Sequence, residues 1–595
     1  MTTKMQAPPK PIFKSRESND EIVALLILGG LPDWLAKILS SRLDKPIAVD
    51  SLYSNELNDV EDPSAIPDMD IAVSRIVRAI NDEEKITLVC DHDMDGTGSA
   101  AVLWSALIDF FKVKDTLVNV VTSHRLTEGY GITEPVAQRI IDLKPGLVIS
   151  ADKGSSDEPR IKKIAEAGID VIVTDHHEIG ANGPPKSAIA VVNPIRVDSS
   201  YDKHVCGAGV AFLTMAKVRT ALIQAGVRNN IPSIAPLLDY VAVATIADCV
   251  SMKPSKASTN RTFVKRGLQL INSKSRPCWE VFCSDLQGPV DAETIGFRLA
   301  PAVAAAGRLD WAEIGFKFLI SKTTQDAQKY WLELQNENTL RKDIEKKLRE
   351  KAIPEACKKK GQSIVLFFED GHSGVHGITA SRLVEAFGKP AAIFSPKGAG
   401  VKNSTSNDEV KLASGSFRGI SGFNVKEALS YVGDKYPDLL LSHGGHVGAG
   451  GGSILITSFN EFVNAYEEAV QAQIGDKELK PTIWVDGDLP IGVNDFDVLN
   501  ELDKLEPWGR DFPYPIFKGK FEVRSIKKLG DGSHLKLSLY DGLNSKDAIW
   551  FNALQSGDDV MFTVGNNLSF VYSLKSSWYR NNRKIQLQII SQIND

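Results

Sequence analysis

Four short segments of the 595-residue chain end an apolar, strand-like run with an acidic residue. They are Val89-Cys90-Asp91-His92-Asp93-Met94-Asp95-Gly96, Val148-Ile149-Ser150-Ala151-Asp152-Lys153-Gly154, Val171-Ile172-Val173-Thr174-Asp175-His176-His177 and Ala244-Thr245-Ile246-Ala247-Asp248. In an open α/β sheet, loops leaving the carboxyl ends of the strands share one crevice, so acidic residues at several such ends converge. Converging carboxylates repel one another and need cations. Hard oxygen ligands with one or two imidazoles suit Mn²⁺ or Mg²⁺ better than a soft metal. A pair of such ions stabilises both the attacking and the leaving oxygen of a phosphoryl displacement. The chemistry indicated is phosphoester hydrolysis with two ions per active site.

Each piece alone has a bland reading. An Asp after a strand is usually a helix cap or a turn former, and a single His is more often structural than a ligand. Asp91, Asp93 and Asp95 before Gly96 resemble a calcium loop, but its twelfth position is Val102 where an EF-hand needs Glu. What distinguishes the constellation is its order: D-x-D-x-D-G, then D-x-G, then D-H-H, then a lone Asp, each after an apolar run.

The surrounding elements must hold these loops in place. Residues 84–320 alternate strand-like runs with helix-like segments such as Ser99 to Phe111 and Glu158 to Ala167, the pattern of a parallel sheet covered by helices. Gly96-Thr97-Gly98-Ser99-Ala100 reads as a tight turn entering a helix, which brings backbone N–H groups near the acidic loop. Residues 321–352 are polar and helix-favouring. A second α/β lobe follows over 353–472, with the strand Ser363 to Phe368 and a glycine-rich stretch from Gly444 to Gly452. Residues 473–515 read as a linker. From 516 to 595, five short strand-like runs separated by turn residues fit a small OB-like barrel, whose face binds single strands by aromatic stacking and basic side chains. Of its aromatics, Trp578 and Tyr579, with Arg580, are expected in an exposed loop, because Ser576-Ser577 and Asn581-Asn582 flank them. Residues 1–83 form an N-terminal extension, flexible over 1–20 and helical beyond.

Length and composition set outer limits. A chain of this size with 43% hydrophobic residues is too long for one core and divides into three or four domains. No stretch approaches the roughly 20 apolar residues of a spanning helix, so a soluble, cytoplasmic protein is expected. The six cysteines form no C-x-x-C pair and read as reduced and unliganded. A net charge of −6 is unusual for a nucleic-acid enzyme, but residues 516–595 carry eleven Lys/Arg against seven Asp/Glu, so contact with phosphates is expected to be local.

The order of the acidic motifs resembles the DHH phosphoesterase superfamily, and the rest of the chain resembles its RecJ branch, the single-strand-specific 5′ to 3′ DNA exonucleases. Arg125-Leu126-Thr127-Glu128-Gly129-Tyr130-Gly131, Val192-Asn193-Pro194, Asn260-Arg261, Ala306-Gly307-Arg308-Leu309, Ser416-Phe417-Arg418, Gly444-Gly445-His446 and Leu505-Glu506-Pro507-Trp508-Gly509 all contribute, over about residue 80 to the C-terminus. The resemblance implies an α/β fold in which a DHH parallel-sheet lobe is joined by a long helix to a smaller α/β (DHHA1) lobe, followed by the OB-like barrel. It implies that Asp93 binds one metal and Asp95 the other, that Asp152 bridges, and that His176 and Asp248 complete the second ion. Asp91 and Asp175 are ligands or groups that orient ligands, and His177 contacts the scissile phosphate or helps the leaving oxygen. Arg125, Arg308, Ser416 and Arg418 match positions that contact the strand or hold its 5′-phosphate, and His446 matches the second-lobe substrate loop. The implied partner is single-stranded DNA, with a single-strand-binding protein and a helicase nearby, and the implied state is a monomer in recombination and repair.

Two departures stand out. Pro301-Ala302-Val303-Ala304 lies where the family pattern reads like P-R-I-N, and Gly371 replaces the aromatic that commonly precedes His372. The competing readings are a DHH phosphodiesterase of short oligoribonucleotides or cyclic dinucleotides, and a scaffold that has lost catalysis. The first has no use for a C-terminal barrel, and the second would have lost ligands that this chain keeps.

Overall fold

The computed structural model describes residues 8–54, 56–180, 182–228, 230–255, 258–309, 311–398, 411–490, 494–554, 560–580 and 582–593. The first lobe is built on a five-stranded parallel sheet in the order Val118–Thr122, Ile86–Cys90, Leu147–Ala151, Asp170–Thr174, Ala190–Val192. Ile86–Cys90 and Leu147–Ala151 are buried along their whole length, as strands covered by helices on both faces must be. Cys90 pairs with Thr122 on one side and Ala151 on the other, Ala151 with Thr174, and Thr174 with Val192. All five strands therefore end level. The next residue of each, Ser123, Asp91, Asp152, Asp175 and Asn193, begins its loop in one row along the sheet edge.

The second lobe carries a mixed sheet in the order Ser442–Gly445, Ala449–Leu455, Leu412–Arg418, Ala391–Pro396, Ile364–Phe367. A 34-residue helix, Thr324–Cys357, joins the lobes. At 1.5 Å per residue it spans about 50 Å. The C-terminal barrel closes through Phe517–Leu529, His534–Tyr540, Ser545–Trp550, Asn582–Ile593 and Asn567–Tyr579, leaving no open edge. Among the described residues no helix is long and apolar enough to cross a membrane.

Several sequence expectations need correction. The run before Asp248 is not a strand but the end of the helix Leu238–Ala247, whose all-round burial gives it the apolar composition of a core strand. The N-terminal stretch contains a strand, Ile12–Ser15, paired in parallel with Thr482–Val485; the flexibility expected for residues 1–20 falls in part on 1–7, outside the described residues. The supposed linker is folded, with that strand and the helix Asp495–Lys504. Trp578 is not in an exposed loop. It stands half-buried on the strand Asn567–Tyr579 and packs so closely on Gly288 of the first lobe that a Cβ there would lie 2.4 Å from the indole. Arg580 does occupy the turn, beside Tyr579, while Asn581 lies outside the described residues.

Arg261 ties these parts together. Fully buried, it donates to the carbonyls of Leu505 (2.8 Å), Pro507 (2.9 Å), Met252 (3.3 Å) and Leu52 (3.3 Å), and lies 4.8 Å over the Phe512 ring. One guanidinium thus serves the N-terminal extension, the first lobe and the segment before the barrel, a fork geometry that lysine cannot copy. Arg261→Leu is expected to leave several buried carbonyls unpaired at about 1–3 kcal/mol each and to lower the unfolding midpoint followed by tryptophan fluorescence, with Arg261→Lys recovering less than half. An unchanged midpoint for both variants would mean that solvent serves these carbonyls.

Candidate active site

The level strand ends determine which groups meet. Asp91 begins one loop and Asp152 the neighbouring one, on strands only about 4.8 Å apart. The loop after Ile86–Cys90 turns at once into the helix Met94–Ser105, which Asp93 caps by accepting from the amides of Asp95 (2.9 Å) and Gly96 (3.1 Å). Gly96 sits on the Asp91 backbone, where a Cβ would lie 2.3 Å from its carbonyl oxygen, so the turn needs glycine. Asp95 is held by the amides of Gly207 (2.7 Å) and Ala208 (2.8 Å), the first residues of the helix Gly207–Gln224, where the positive end of the helix favours a carboxylate.

His176 is the meeting point. Its Nε2 lies 3.1 Å from Asp152 Oδ1, 3.5 Å from Asp95 Oδ2 and 3.8 Å from Asp248 Oδ2. Three sets of side chains could hold an ion: Asp91, Asp93 and Asp152; Asp95, His176 and Asp248; and Asp152, His176 and His177. Asp152 belongs to two of them. Its backbone is left-handed, with φ of 61°. Burial and the neighbouring carboxylates hold the Asp152 and Asp248 carboxyls well above the usual range, and Asp95 is raised for the same reasons. Carboxyls that cannot all ionise without extra positive charge fit a pair of hard divalent cations, and the oxygen and imidazole donors suit Mn²⁺ or Mg²⁺.

Two aspartates differ from the rest. Asp91 is buried, yet His92 (3.1 Å) and Lys153 (3.1 Å) hold its carboxyl well below the usual range. Asp175, also buried, accepts from the amides of Ser155 (2.9 Å), His176 (2.8 Å) and His177 (3.2 Å) and from His177 Nδ1 (2.8 Å). Its pKa is lowered in spite of burial, chiefly through His177. Burial opposes a charge on His177, but the Asp175 hydrogen bond outweighs it and raises the imidazole to about 10. With Nδ1 engaged by Asp175, the other ring nitrogen is left for a ligand. His446, on the turn between Ser442–Gly445 and Ala449–Leu455, stacks on the His177 ring at 5.5 Å and 29°.

A cationic pocket lies beside these groups. Arg125 stands 5.2 Å over the Tyr130 ring, and Tyr130 meets His92 edge-on at 4.8 Å. Arg308 donates to the Gly374 carbonyl (3.3 Å) across the cleft. Arg418 packs on Gly377, where a Cβ would lie 2.5 Å from the guanidinium, and Ser416 precedes it by two residues on the same strand face. Burial lowers the Arg308 pKa to about 9, with Arg125, Arg418 and Arg341 adding to the effect; Arg418 is lowered by burial and by Arg125. Guanidiniums crowded in this way gain from an anion between them.

The site thus brings together Asp91, Asp93, Asp95, Asp152, Asp175, His176, His177, Asp248 and His446, with Arg125, Arg308, Ser416 and Arg418 in the adjoining cleft. Trp578 and Arg580 lie elsewhere, on the barrel. Sequence reading gives no role to Lys153, His92 or Tyr130, although a lysine inside D-x-G after a strand is a usable signal. Gly371 also acquires a reason: a Cβ there would sit 3.1 Å from Ser395 and 3.2 Å from His376, so this lobe has closed over the space an aromatic would fill.

Comparisons with known proteins match the three domains described above. Residues 85–245 match the DHH family N-terminal domain, 360–472 the DHHA1 domain and 485–591 the RecJ OB domain. The single-stranded-DNA-specific exonuclease RecJ of Haemophilus influenzae is 30% identical over 552 residues, 90% of this chain and 92% of that protein. The chain belongs to the RecJ family. The Escherichia coli RecJ is 31% identical over 540 residues, 87% of this chain and 89% of its own length. A solved structure of RecJ from Thermus thermophilus in complex with Mn²⁺ shares the fold, with a TM-score of 0.75 at 23% identity over 98% of this chain and 79% of that one. A second structure of that protein is in complex with Mg²⁺.

The His177 pairing has a measurable consequence. Its folded pKa, about 10, exceeds the unfolded value of about 6.5, so its contribution to stability is complete below about pH 6.5 and is lost as pH rises toward 10. In metal-free protein the unfolding midpoint is expected to fall across that window, and His177→Gln should flatten the fall. An equally steep decline in the variant would show that the imidazolium is not held by Asp175.

Proposed function

We propose that the chain is a metal-dependent exonuclease that degrades single-stranded DNA from its 5′ end and releases 5′-mononucleotides in recombination and repair. The observation that carries this reading is the side-by-side placement of a carboxylate cluster short of positive charge and an arginine pocket short of negative charge. The first suits two divalent cations, and the second suits a terminal phosphate.

Asp93, Asp95, Asp152, His176 and Asp248 would hold Mn²⁺ or Mg²⁺, with Asp152 shared. When bound, the ions supply a water of lowered pKa and positive charge against the attacking and leaving oxygens. The chain's own residues do the rest. Asp91, already neutralised by Lys153 and His92, orients its loop. Asp175, fixed by three backbone amides, holds His177 as an imidazolium whose free N–H faces the cleft and can give its proton to the leaving oxygen. Stacking of His446 on His177 fixes that ring and makes the second lobe part of the site. Arg125, Arg308, Ser416 and Arg418 grip the 5′-phosphate one residue short of the bond to be cut, which sets direction.

The barrel contributes through Arg580 and Tyr579 at its exposed turn. Trp578 acts instead by docking the barrel on Gly288, so its loss would loosen the domain contact. The Ala302 and Ala304 positions, on the helix Ala300–Leu309, offer no polar contact to the strand. A single-strand-binding protein and a helicase remain the natural partners of such an enzyme, which the reading treats as a monomeric cytoplasmic protein.

Asp152→Asn, chosen because Asn tolerates a left-handed backbone, is expected to cut mononucleotide release about 1,000-fold through several kcal/mol of lost charge stabilisation, with the fold intact by circular dichroism. Full activity would sink the shared-ligand assignment. Replacing Arg418 by Ala should reduce hydrolysis of 5′-phosphorylated strands by about ten-fold or more, since a charge-assisted contact is worth about 1.5–3 kcal/mol, and should matter less on 5′-hydroxyl ends. Rates on 5′- and 3′-labelled strands with and without the phosphate decide it: mononucleotides appearing first from the 3′ end, or equal losses on both kinds of 5′ end, would defeat the anchor.

A further inference from the structure

The far side of the second lobe holds a pocket of about 660 Å³ that the catalytic reading does not use. Lys359 and Lys360 follow the connecting helix, Lys389 follows the helix Ser373–Phe387, and Lys477 and Lys480 come from the segment leading to the barrel. Ser373–Phe387 begins at the cleft, where the Gly374 carbonyl meets Arg308, and ends at this pocket. Its 15 residues place the two about 20 Å apart.

The lysines stand on a fixed frame. Glu467 accepts from the amides of Gln362 (2.5 Å) and Ser363 (2.9 Å), and Gln362 in turn donates to the carbonyls of Gly475 (2.7 Å) and Lys477 (3.1 Å). Gly388, with φ of 67°, lets the Lys480–Pro481 backbone approach so closely that a Cβ there would lie 2.3 Å from it. Two lysines are already engaged: Lys389 donates to the Gly361 carbonyl (2.5 Å), and Lys480 pairs with Glu478 (2.8 Å). Lys359, Lys360 and Lys477 are exposed and have no carboxylate partner among the described residues, with Asp476 the one other acid lining the pocket. On a chain of net charge −6, three unpaired ammonium groups held around one concavity are a built excess of positive charge.

We propose that this pocket is a further nucleic-acid contact, apart from the cleft and the barrel turn, which holds backbone phosphates of the substrate strand. Phosphates fit better than a single carboxylate because several point charges, presented from separate segments, match a row of anions along a backbone. A strand long enough to leave the cleft and reach the far end of Ser373–Phe387 gains the contact, and a short one does not. The inference rests on the single-strand exonuclease reading. The two fail separately, because this contact is read by binding to full-length protein in chelator, whereas that reading stands on mononucleotide release.

The test compares the wild type with Lys359→Glu/Lys360→Glu/Lys477→Glu and with the corresponding triple Gln variant. Binding is measured to 5′-phosphorylated oligo(dT) of roughly 12 nucleotides, within the reach of one strand-binding site, and of on the order of 60. Each phosphate contact adds about 0.7 to the log–log salt slope for a single strand. Both variants are therefore expected to bind the long strand with a slope shallower by about 2, the Glu variant at least ten-fold more weakly at low salt, and both to bind the short strand as the wild type does. Unchanged slopes on the long strand, or equal losses on both lengths, would overturn the proposal. So would a loss confined to pyrophosphate or to a poly-Glu peptide, which would make this a small-anion or an acidic-protein site.

Discussion

Six carboxylates, Asp91, Asp93, Asp95, Asp152, Asp175 and Asp248, are crowded at one end of a buried sheet, and much of the first lobe serves to keep them there. Burial alone would protonate them or push them apart. Asp93 caps the helix Met94–Ser105, and the structure treats the other five in two ways. Asp91 and Asp175 are held low from within, Asp91 by the closeness of Lys153 and His92 and Asp175 by three amides and His177. Asp95, Asp152 and Asp248 are left with raised pKa values, Asp95 in spite of the amides of Gly207 and Ala208, a state that outside cations would relieve. The division is one of charge: two of these acids are balanced by neighbouring cations or donors, and three are not.

The same logic runs in reverse across the cleft. Arg125, Arg308 and Arg418 come from a first-lobe loop, the helix Ala300–Leu309 and the second-lobe sheet, and burial depresses the pKa of the latter two. Each lobe alone holds an incomplete charge arrangement. An anion between the arginines and cations among the carboxylates would complete both together, and would draw the lobes into register. His446 on His177 and Lys426 on Glu178 are contacts through which the second lobe meets the carboxylate cluster.

Much of this arrangement is legible in the sequence. Strand-terminal Asp91, Asp152 and Asp175 are readable because an apolar β-branched run followed by an acid has a period and an end. The order of the motifs carries the family. The run before Asp248 misleads because a helix buried on all sides has no period to show, so its composition imitates a core strand. Trp578 misleads for a different reason: polar neighbours mark a turn, but no local pattern reveals that Gly288, almost 300 residues away, offers a flat place to pack. Lys153 and Arg261 stand within the motifs, yet their partners are assembled only in three dimensions. The level ending of the five strands, which puts the site in one row, is a property of register and not of any segment.

The short strand Ile12–Ser15 imposes an order on how the molecule is made. Its ladder partner, Thr482–Val485, lies about 470 residues downstream. At about 5–20 residues per second, a ribosome takes roughly half a minute to a minute and a half to produce it. Throughout that time the newborn strand presents unpaired backbone to anything that will extend it. Pro8, Pro9 and Pro11 before it, with Lys10 and Lys14 beside and within it, are residues that resist such pairing. The proline- and lysine-rich stretch before the strand thus reads as a guard for an edge that must stay single until Thr482–Val485 has been made.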